Sequence, residues 1–207
     1  MGARSGSKGP NAADVFLNVP YDEKFLDHFL AYVAGLSALG LYPRATLEIP
    51  GGERRLDRIF TLIRTCSSSV HDLSRIELDK RRPITPRFNM PFELGLAVAC
   101  QKLQPGKHIW FVFETKLRRV EKSLSDLSGT DVYVHEGKSR GIFRELCNAF
   151  IRSERQPSVE QMDLIYRGLK RELPAIMRKA GSSTAFQARV FSDLRVLSRA
   201  LNAQMIS

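Results

Sequence analysis

The segment His108-Ile109-Trp110-Phe111-Val112-Phe113-Glu114 is apolar at each of its five central positions. A strand with one wet face would alternate polar and apolar residues. An unbroken run therefore predicts a strand covered on both faces, which is the interior of a parallel sheet. Parallel neighbours are joined by crossovers, normally helical, so the rest of the chain must alternate strand and helix signals. It does. Residues 14–20 form a short apolar run ending at Pro20. Residues 23–39 carry Phe25, Leu26, Phe29, Leu30, Val33, Leu36 and Leu39 at a 3.6-residue period, and Gly40 closes that helix. Further strands are predicted at 43–49, 67–73 and 131–135, and further helices at 56–66, 89–101, 117–127 and 141–152. Residues 74–88 are polar, basic and Pro-containing, which predicts an exposed loop. Asn89 suits the N-cap of the helix that follows, with Pro91 in its first turn. The order predicts an α/β fold: a five-stranded, parallel, doubly wound sheet of flavodoxin-like type.

Three parts are expected: a disordered tail at 1–13, small, polar and basic; the α/β domain at 14–152; and a helical C-terminal extension at 153–207. The extension holds helices at 159–179 and 184–205, with Pro174 predicted to kink or end the first. Leu164, Ile165, Leu169 and Ile176 form one apolar stripe, and Phe191, Leu194, Leu197 and Leu201 another. They suit either docking onto the sheet domain or a homo-oligomer interface.

At 207 residues and 43% hydrophobic, the chain can bury one core of ordinary domain size plus an appendage. No apolar run approaches the ~18 residues of a membrane span, and the start of the sequence lacks the apolar stretch of a secretory signal. Cys66, Cys100 and Cys147 have neither the number nor the spacing of a disulfide framework or zinc site. They read as small core residues in apolar helical settings, and no metal is expected. Together these features predict a cytoplasmic protein. The net charge of +10 is spread along the chain without any nucleic-acid-binding signature, so specific nucleic-acid recognition is not expected. A basic surface does suit a phosphate-bearing small molecule.

Open parallel sheets bind ligands beyond the C-terminal ends of their strands. That rule selects Asn18, Pro20 and Tyr21 after the first strand and Glu48 after the second. It also selects Asp72, Ser74 and Arg75 after the third, the stretch from Arg87 to Glu93, and Glu114-Thr115. Neither GxGxxG nor GxxxxGK[ST] occurs, so the dinucleotide fingerprint and the P-loop are both excluded; HExxH is absent too. His71 reads as a packing histidine, and Trp110 as core. Glu93 falls in a first helical turn, where the helix dipole favours a carboxylate with no functional reason needed. A structural Glu93 and a chemical one both stay open. Glu48 suits pairing with Arg54, Arg55 or Arg58 as well as it suits ligand contact.

The segment Arg87-Phe88-Asn89-Met90-Pro91-Phe92-Glu93-Leu94-Gly95-Leu96-Ala97 resembles the glutamate-bearing helix start of nucleoside 2-deoxyribosyltransferases and of TIR and TIR-like domains. With residues 15–20, Pro43-Arg44-Ala45-Thr46-Leu47-Glu48 and His71-Asp72-Leu73-Ser74-Arg75, it resembles a bacterial TIR-like group over residues 14–152. Where the transferases carry an Asp and a Gly-Thr before the glutamate, this chain has Arg87 and Asn89-Met90, which moves weight toward the TIR-like side. The Trp and Cys that TIR enzymes often carry there are missing too. The resemblance implies N-glycosidic-bond chemistry on NAD as substrate rather than bound cofactor, by hydrolysis or cyclisation, in a bacterial stress or antiphage response. It makes Glu93 the catalytic carboxylate. Asn18, Pro20, Tyr21, Arg44, Glu48, Asp72, Ser74, Arg75, Arg87, Asn89 and Met90 become candidates to line the substrate, the arginines by clasping a diphosphate. Two alternatives stay open: a TIR-like module that senses a nucleotide or recruits a partner without chemistry, and a deoxyribosyltransferase-like enzyme.

Overall fold

The computed structural model describes residues 10–48, 54–76, 78–79, 82, 84–86, 88–152 and 156–206. The chain runs β1 (Asn11–Asn18), α1 (Leu26–Ala38), β2 (Tyr42–Arg44), α2 (Arg55–Thr65) and β3 (Cys66–Asp72). It continues through β4 (Leu78–Asp79), β5 (Thr85–Pro86), α3 (Asn89–Leu103), β6 (Ile109–Glu114) and α4 (Arg119–Ser123). It closes with β7 (Val132–Val134), α5 (Ser139–Ala149), α6 (Val159–Ala180) and α7 (Ala188–Ile206). Five strands make one parallel sheet in the order β2-β1-β3-β6-β7, and β4 and β5 form a separate two-residue antiparallel pair. This is a flavodoxin-like fold. The chain winds outward from β1 to β2, then returns past β1 to β3, so the winding reverses between β1 and β3. The crevice of a doubly wound sheet lies at such a reversal.

Strand parity divides the core. Val15, Leu17, Val70 and Phe113 face α1 and α5, while Phe16 faces Ile59, Leu62 and Ile63 of α2 and Ala97 of α3. Val112 packs with Met90, Leu94 and Val120. α1 is buried along almost its whole length because α5, α6 and α7 also pack against it. Ile165, Leu169, Leu173, Val190, Phe191 and Leu194 lie in the same apolar cluster as β1 and α1. Most of the two C-terminal stripes are therefore used within the chain, although Leu164 is exposed. Among the described residues no helix is long and apolar enough to cross a membrane.

Several boundaries differ from expectation for local reasons. β1 begins at Asn11, inside the expected tail, because Asn11 pairs with Cys66 through an irregular register with β3. β2 stops at Arg44, and Thr46–Glu48 is a 3-10 turn in which Glu48 accepts from the Ala45 N–H. Phe88, not Asn89, is the N-cap of α3; its side chain makes no capping bond, and Asn89 is the first helical residue. The expected helix at 117–127 is only α4 followed by a 3-10 turn. Pro174 neither ends nor interrupts α6, which continues to Ala180 behind a full capping box at Ser158 and Gln161. Cys66 opens a strand instead of lying in a helix. Trp110 is only part-buried, and its indole N–H donates to Gln101 across 2.7 Å.

The turn from β7 into α5 leaves no room for a side chain at Gly141, where a Cβ would stand 2.1 Å from the His135 carbonyl oxygen. That neighbour is backbone and cannot swing away. Gly141→Ala is expected to destabilise by about 1–3 kcal/mol, read as a lower urea midpoint at unchanged slope. Gly95→Ala, where a Cβ meets nothing within 4 Å on α3, is expected to move the midpoint up by the helix preference of alanine, at most ~1 kcal/mol.

Candidate functional site

Polar residues on the central strands would be costly beneath α2 and α3 unless every hydrogen bond were made. Asn18, Ser69 and His71 are nonetheless buried there, together with His108. They form one chain. His108 Nδ1 lies 3.0 Å from the Cys66 carbonyl oxygen, which only accepts, so Nδ1 carries the proton and Nε2 accepts. Ser69 Oγ, 2.8 Å away, gives its single proton to that nitrogen and accepts from His71 Nε2, also at 2.8 Å. His71 Nδ1 is then left to accept from the Asn18 amide at 2.8 Å. Burial, helped by neighbouring His108, pushes the His71 pKa down to about 3, so the neutral ring this scheme requires is the stable one. The Asn18 NH2 is thus turned toward β3. Its carbonyl oxygen has no partner among the described residues, and it is not one of the sealed, unpaired atoms. The relay ends in a fixed acceptor at the winding reversal.

Three carboxylates are buried along the same C-terminal rim: Asp72 at the end of β3, Glu93 in α3 and Glu114 at the end of β6. Asp72 accepts from Tyr32 Oη at 2.6 Å and from the Ser74 N–H at 2.8 Å, and lies 3.2 Å from His135 Nε2. Burial alone would raise its pKa; the contacts to His135, Ser74 and Tyr32 outweigh that and hold it below the usual range. Glu114 accepts from the Thr115 N–H and hydroxyl and the Lys116 N–H, and from Arg119 at 2.8 Å on its second oxygen. Glu93 differs. Its one partner among the described residues is Arg55, the first residue of α2, at 3.1 Å to Oε1. Oε2 has none among the described residues and is not sealed from solvent. Burial raises the Glu93 pKa against the pull of the Arg55 guanidinium.

Tyr21 closes the other side. Its hydroxyl accepts from Thr46 Oγ1 at 3.3 Å, and its ring packs on Phe29 and Phe186. Burial, countered in part by the Thr46 bond, pushes its pKa up to about 12. Arg58 donates to the Thr46 carbonyl at 3.3 Å, while its buried Nε–H finds no acceptor.

The remaining sequence-selected residues are placed as follows. Arg44 is held between Asp14 and Glu48, and Glu48 also binds Arg195 of α7 at 2.8 Å, not an arginine of α2. Ser74 is buried 3.1 Å from His135 Nε2. His135 Nδ1 accepts from the Gly137 N–H, so no ring nitrogen is free to take a serine proton. Arg75 pairs with Asp22 at 3.5 Å. Pro20 is buried, Met90 belongs to the core beside Leu94, and Asn89 is exposed. Arg87 lies outside the described residues. Asn18, Tyr21 and Glu93 therefore share the rim at the reversal, whereas Arg44, Glu48 and Asp72 are taken up by internal partners. The cations beside Glu93 and Tyr21 are Arg55 and Arg58. Sequence reasoning treated these only as surface partners for Glu48, although their i, i+3 spacing at a helix start put them on one face.

No protein-family model and no curated protein matches the sequence. Among the described residues, no group of three or more His, Cys, Asp or Glu side chains is arranged to hold a metal ion.

The neutral His71 ring makes stability depend on pH. Between about pH 6.5 and 3 the unfolded chain holds a proton there that the folded chain does not, so stability is present above 6.5 and lost as pH falls. In urea titrations, the stability advantage of the wild type over His71→Gln is expected to shrink by about 1.4 kcal/mol per pH unit on acidification through that window. An advantage independent of pH would contradict a neutral His71.

Proposed function

We propose that this protein cleaves the N-glycosidic bond of a nucleotide such as NAD, with Glu93 facing the ribose. The observation that carries the reading is the unequal satisfaction of the three rim carboxylates. Asp72 and Glu114 are saturated by internal donors, whereas Glu93 keeps one oxygen without a partner among the described residues, beside Tyr21 and the arginines of α2. Breaking the bond between C1′ and the nicotinamide nitrogen sends its electron pair to that nitrogen, and nicotinamide leaves neutral. No general acid is required. Positive charge develops on the sugar, and a carboxylate held in a water-poor site stabilises it far better than one in bulk water. Water then adds to C1′ and releases its proton to solvent, giving ADP-ribose. Burial raises the Glu93 pKa and the Arg55 guanidinium opposes that rise, while the half-exposed Arg55 side chain is available to a substrate phosphate.

A second reading, nucleotide binding without chemistry, is favoured by the 2% exposure of Glu93 and its existing ion pair with Arg55. Burial of that degree suits a structural carboxylate as well.

Purified protein incubated with NAD separates the two. Consumption with ADP-ribose, its cyclic form or a base-exchanged product is expected, and Glu93→Gln is expected to lower kcat by about 10²-fold or more at unchanged thermal stability. Equal turnover by both proteins removes Glu93 from the chemistry. NAD binding without any product, followed by mass spectrometry, selects the second reading.

A further inference from the structure

The opposite edge of the sheet holds a cleft that the proposed chemistry does not use. Between Asn11 and Val15 the register of β1 against β3 shifts: Asn11 faces Cys66, but Val15 already faces Ser68. The extra residues bulge out of the ladder, as happens beside binding sites in many sheets. Ser67 Oγ turns back to serve the bulge, donating to the Ala12 carbonyl at 3.0 Å and lying 3.4 Å from that of Asp14. The bulge, together with the end of α5 at Ala149, leaves the lower edge of the α1–α5 face uncovered. A cleft of about 260 Å³ results, with Ser68, Leu41, Ile109, Phe150, Lys107 and Arg152 in its lining.

Its chemistry has two sides. Leu41, Phe150, Ile109 and Ile151 are apolar, and Ile109 and Ile151 are 53% and 84% exposed, an unusual state for isoleucine on a central strand and next to a helix end. Lys107 and Arg152 supply two positive charges. Neither has an acidic partner among the described residues, and none of the described residues lining the cleft is Asp or Glu. Ser68 is only 7% exposed, yet its hydroxyl has no partner among the described residues. By strand parity it shares the face of Val70, the face on which Phe150 packs against Phe111. An unpaired hydroxyl on the floor, two unpaired cations and apolar walls match one kind of guest. The volume lies below the ~300 Å³ lower bound of drug-sized pockets, which restricts that guest to about one ring or a short branched chain.

The geometry points to a binding site for a small organic carboxylate with an apolar body, seated at the N-terminal edge of β1, β3 and β6. The carboxylate meets Lys107 and Arg152, the body covers Ile109, Phe150 and Ile151, and the Ser68 hydroxyl donates to the bound anion. Residues 1–9 of the chain itself do not fit this description, because they carry Arg4 and Lys8 and no acid.

The test uses the full chain, labelled with 15N, and three probes: benzoate, benzamidine (the same shape with the opposite charge) and inorganic phosphate. Benzoate is expected to shift the Ser68, Lys107, Ile109 and Arg152 amides saturably at millimolar concentration. Benzamidine is expected to produce no saturable shift, and phosphate to bind at least tenfold more weakly for lack of an apolar body. The double variant Lys107→Gln, Arg152→Gln changes two exposed side chains, so it is expected to fold normally and to lose at least tenfold in benzoate affinity. Equal binding of benzamidine, equal binding of phosphate, unchanged affinity in the double variant, or no benzoate shifts at these amides would each overturn the assignment.

Discussion

Four hydrogen bonds running in one direction, from the Asn18 amide through His71, Ser69 and His108 to the Cys66 carbonyl, are the condition on which the centre of this sheet rests. β1 and β3 lie beneath α2 and α3, where an unpaired polar group costs about 1–3 kcal/mol. Each donor in the chain has one acceptor, and the terminal carbonyl fixes the direction of all the others. Sliding β3 against β1 by one residue would exchange Ser69 and His71 for Ser68 and Val70 beneath α2 and α3 and leave several of these groups unpaired. The relay therefore acts as a register lock. Its cost is carried by keeping both imidazoles neutral, which sets an acid limit on the fold.

The lock has a second consequence at the rim. Because His71 consumes the Asn18 NH2, the Asn18 carbonyl oxygen is the group left over, at the place where the winding reverses. Glu93 approaches the same place from the start of α3, and the two groups differ in kind. Asn18 is an acceptor whose amide is held by one hydrogen bond to His71 at the head of the relay; among the described residues, Glu93 is a carboxylate held by one guanidinium that is itself half exposed. Asp72 and Glu93 are both buried, and their pKa values shift in opposite directions: Asp72 meets donors from His135, Ser74 and Tyr32 that outweigh its burial, whereas at Glu93 burial outweighs Arg55.

The element order and the parallel, doubly wound class of the sheet were legible because they depend on patterns the sequence carries openly: an all-apolar β6, a periodic α1, and alternation of helix and strand; β6 is nonetheless buried only in its second half. The position of Glu93 on the rim followed from topology plus one helix start. The partners were less legible. Arg44 and Glu48 looked available for a ligand, yet Asp14 and Arg195, far away in sequence, already hold them. Pro174 suggested a kink or an end, yet α6 does not end there and runs on to Ala180, held by its N-terminal capping box and by the packing of Leu169 and Leu173 in the core. His71 reads from the sequence as a packing histidine, and it is buried with its ring nitrogens satisfied; His108 stands in the sequence only as the first residue of an apolar strand segment. Only the three-dimensional pairing shows that they form one chain with Ser69. Local propensity places elements, but which polar groups satisfy each other is decided by residues brought together from separate strands.

The same point governs the excess positive charge. A net +10 spread along the sequence says little about where a ligand would feel it. In the folded chain Arg44 and Arg195 neutralise Asp14 and Glu48, Arg119 is bound to Glu114, and Arg140 pairs with Glu160. These cations contribute little field at a distance, since each is cancelled within a few ångströms. Field lines toward an anion must come from cations without such partners, and they are sharpened where low-dielectric walls stand close by. Arg58, with a buried N–H and no acceptor, is one such group at the upper rim. Lys107 and Arg152, beside exposed isoleucines, are two at the lower edge. At the lower end of the strands, the β1 bulge adjoins a cleft that places Lys107 and Arg152 beside apolar walls.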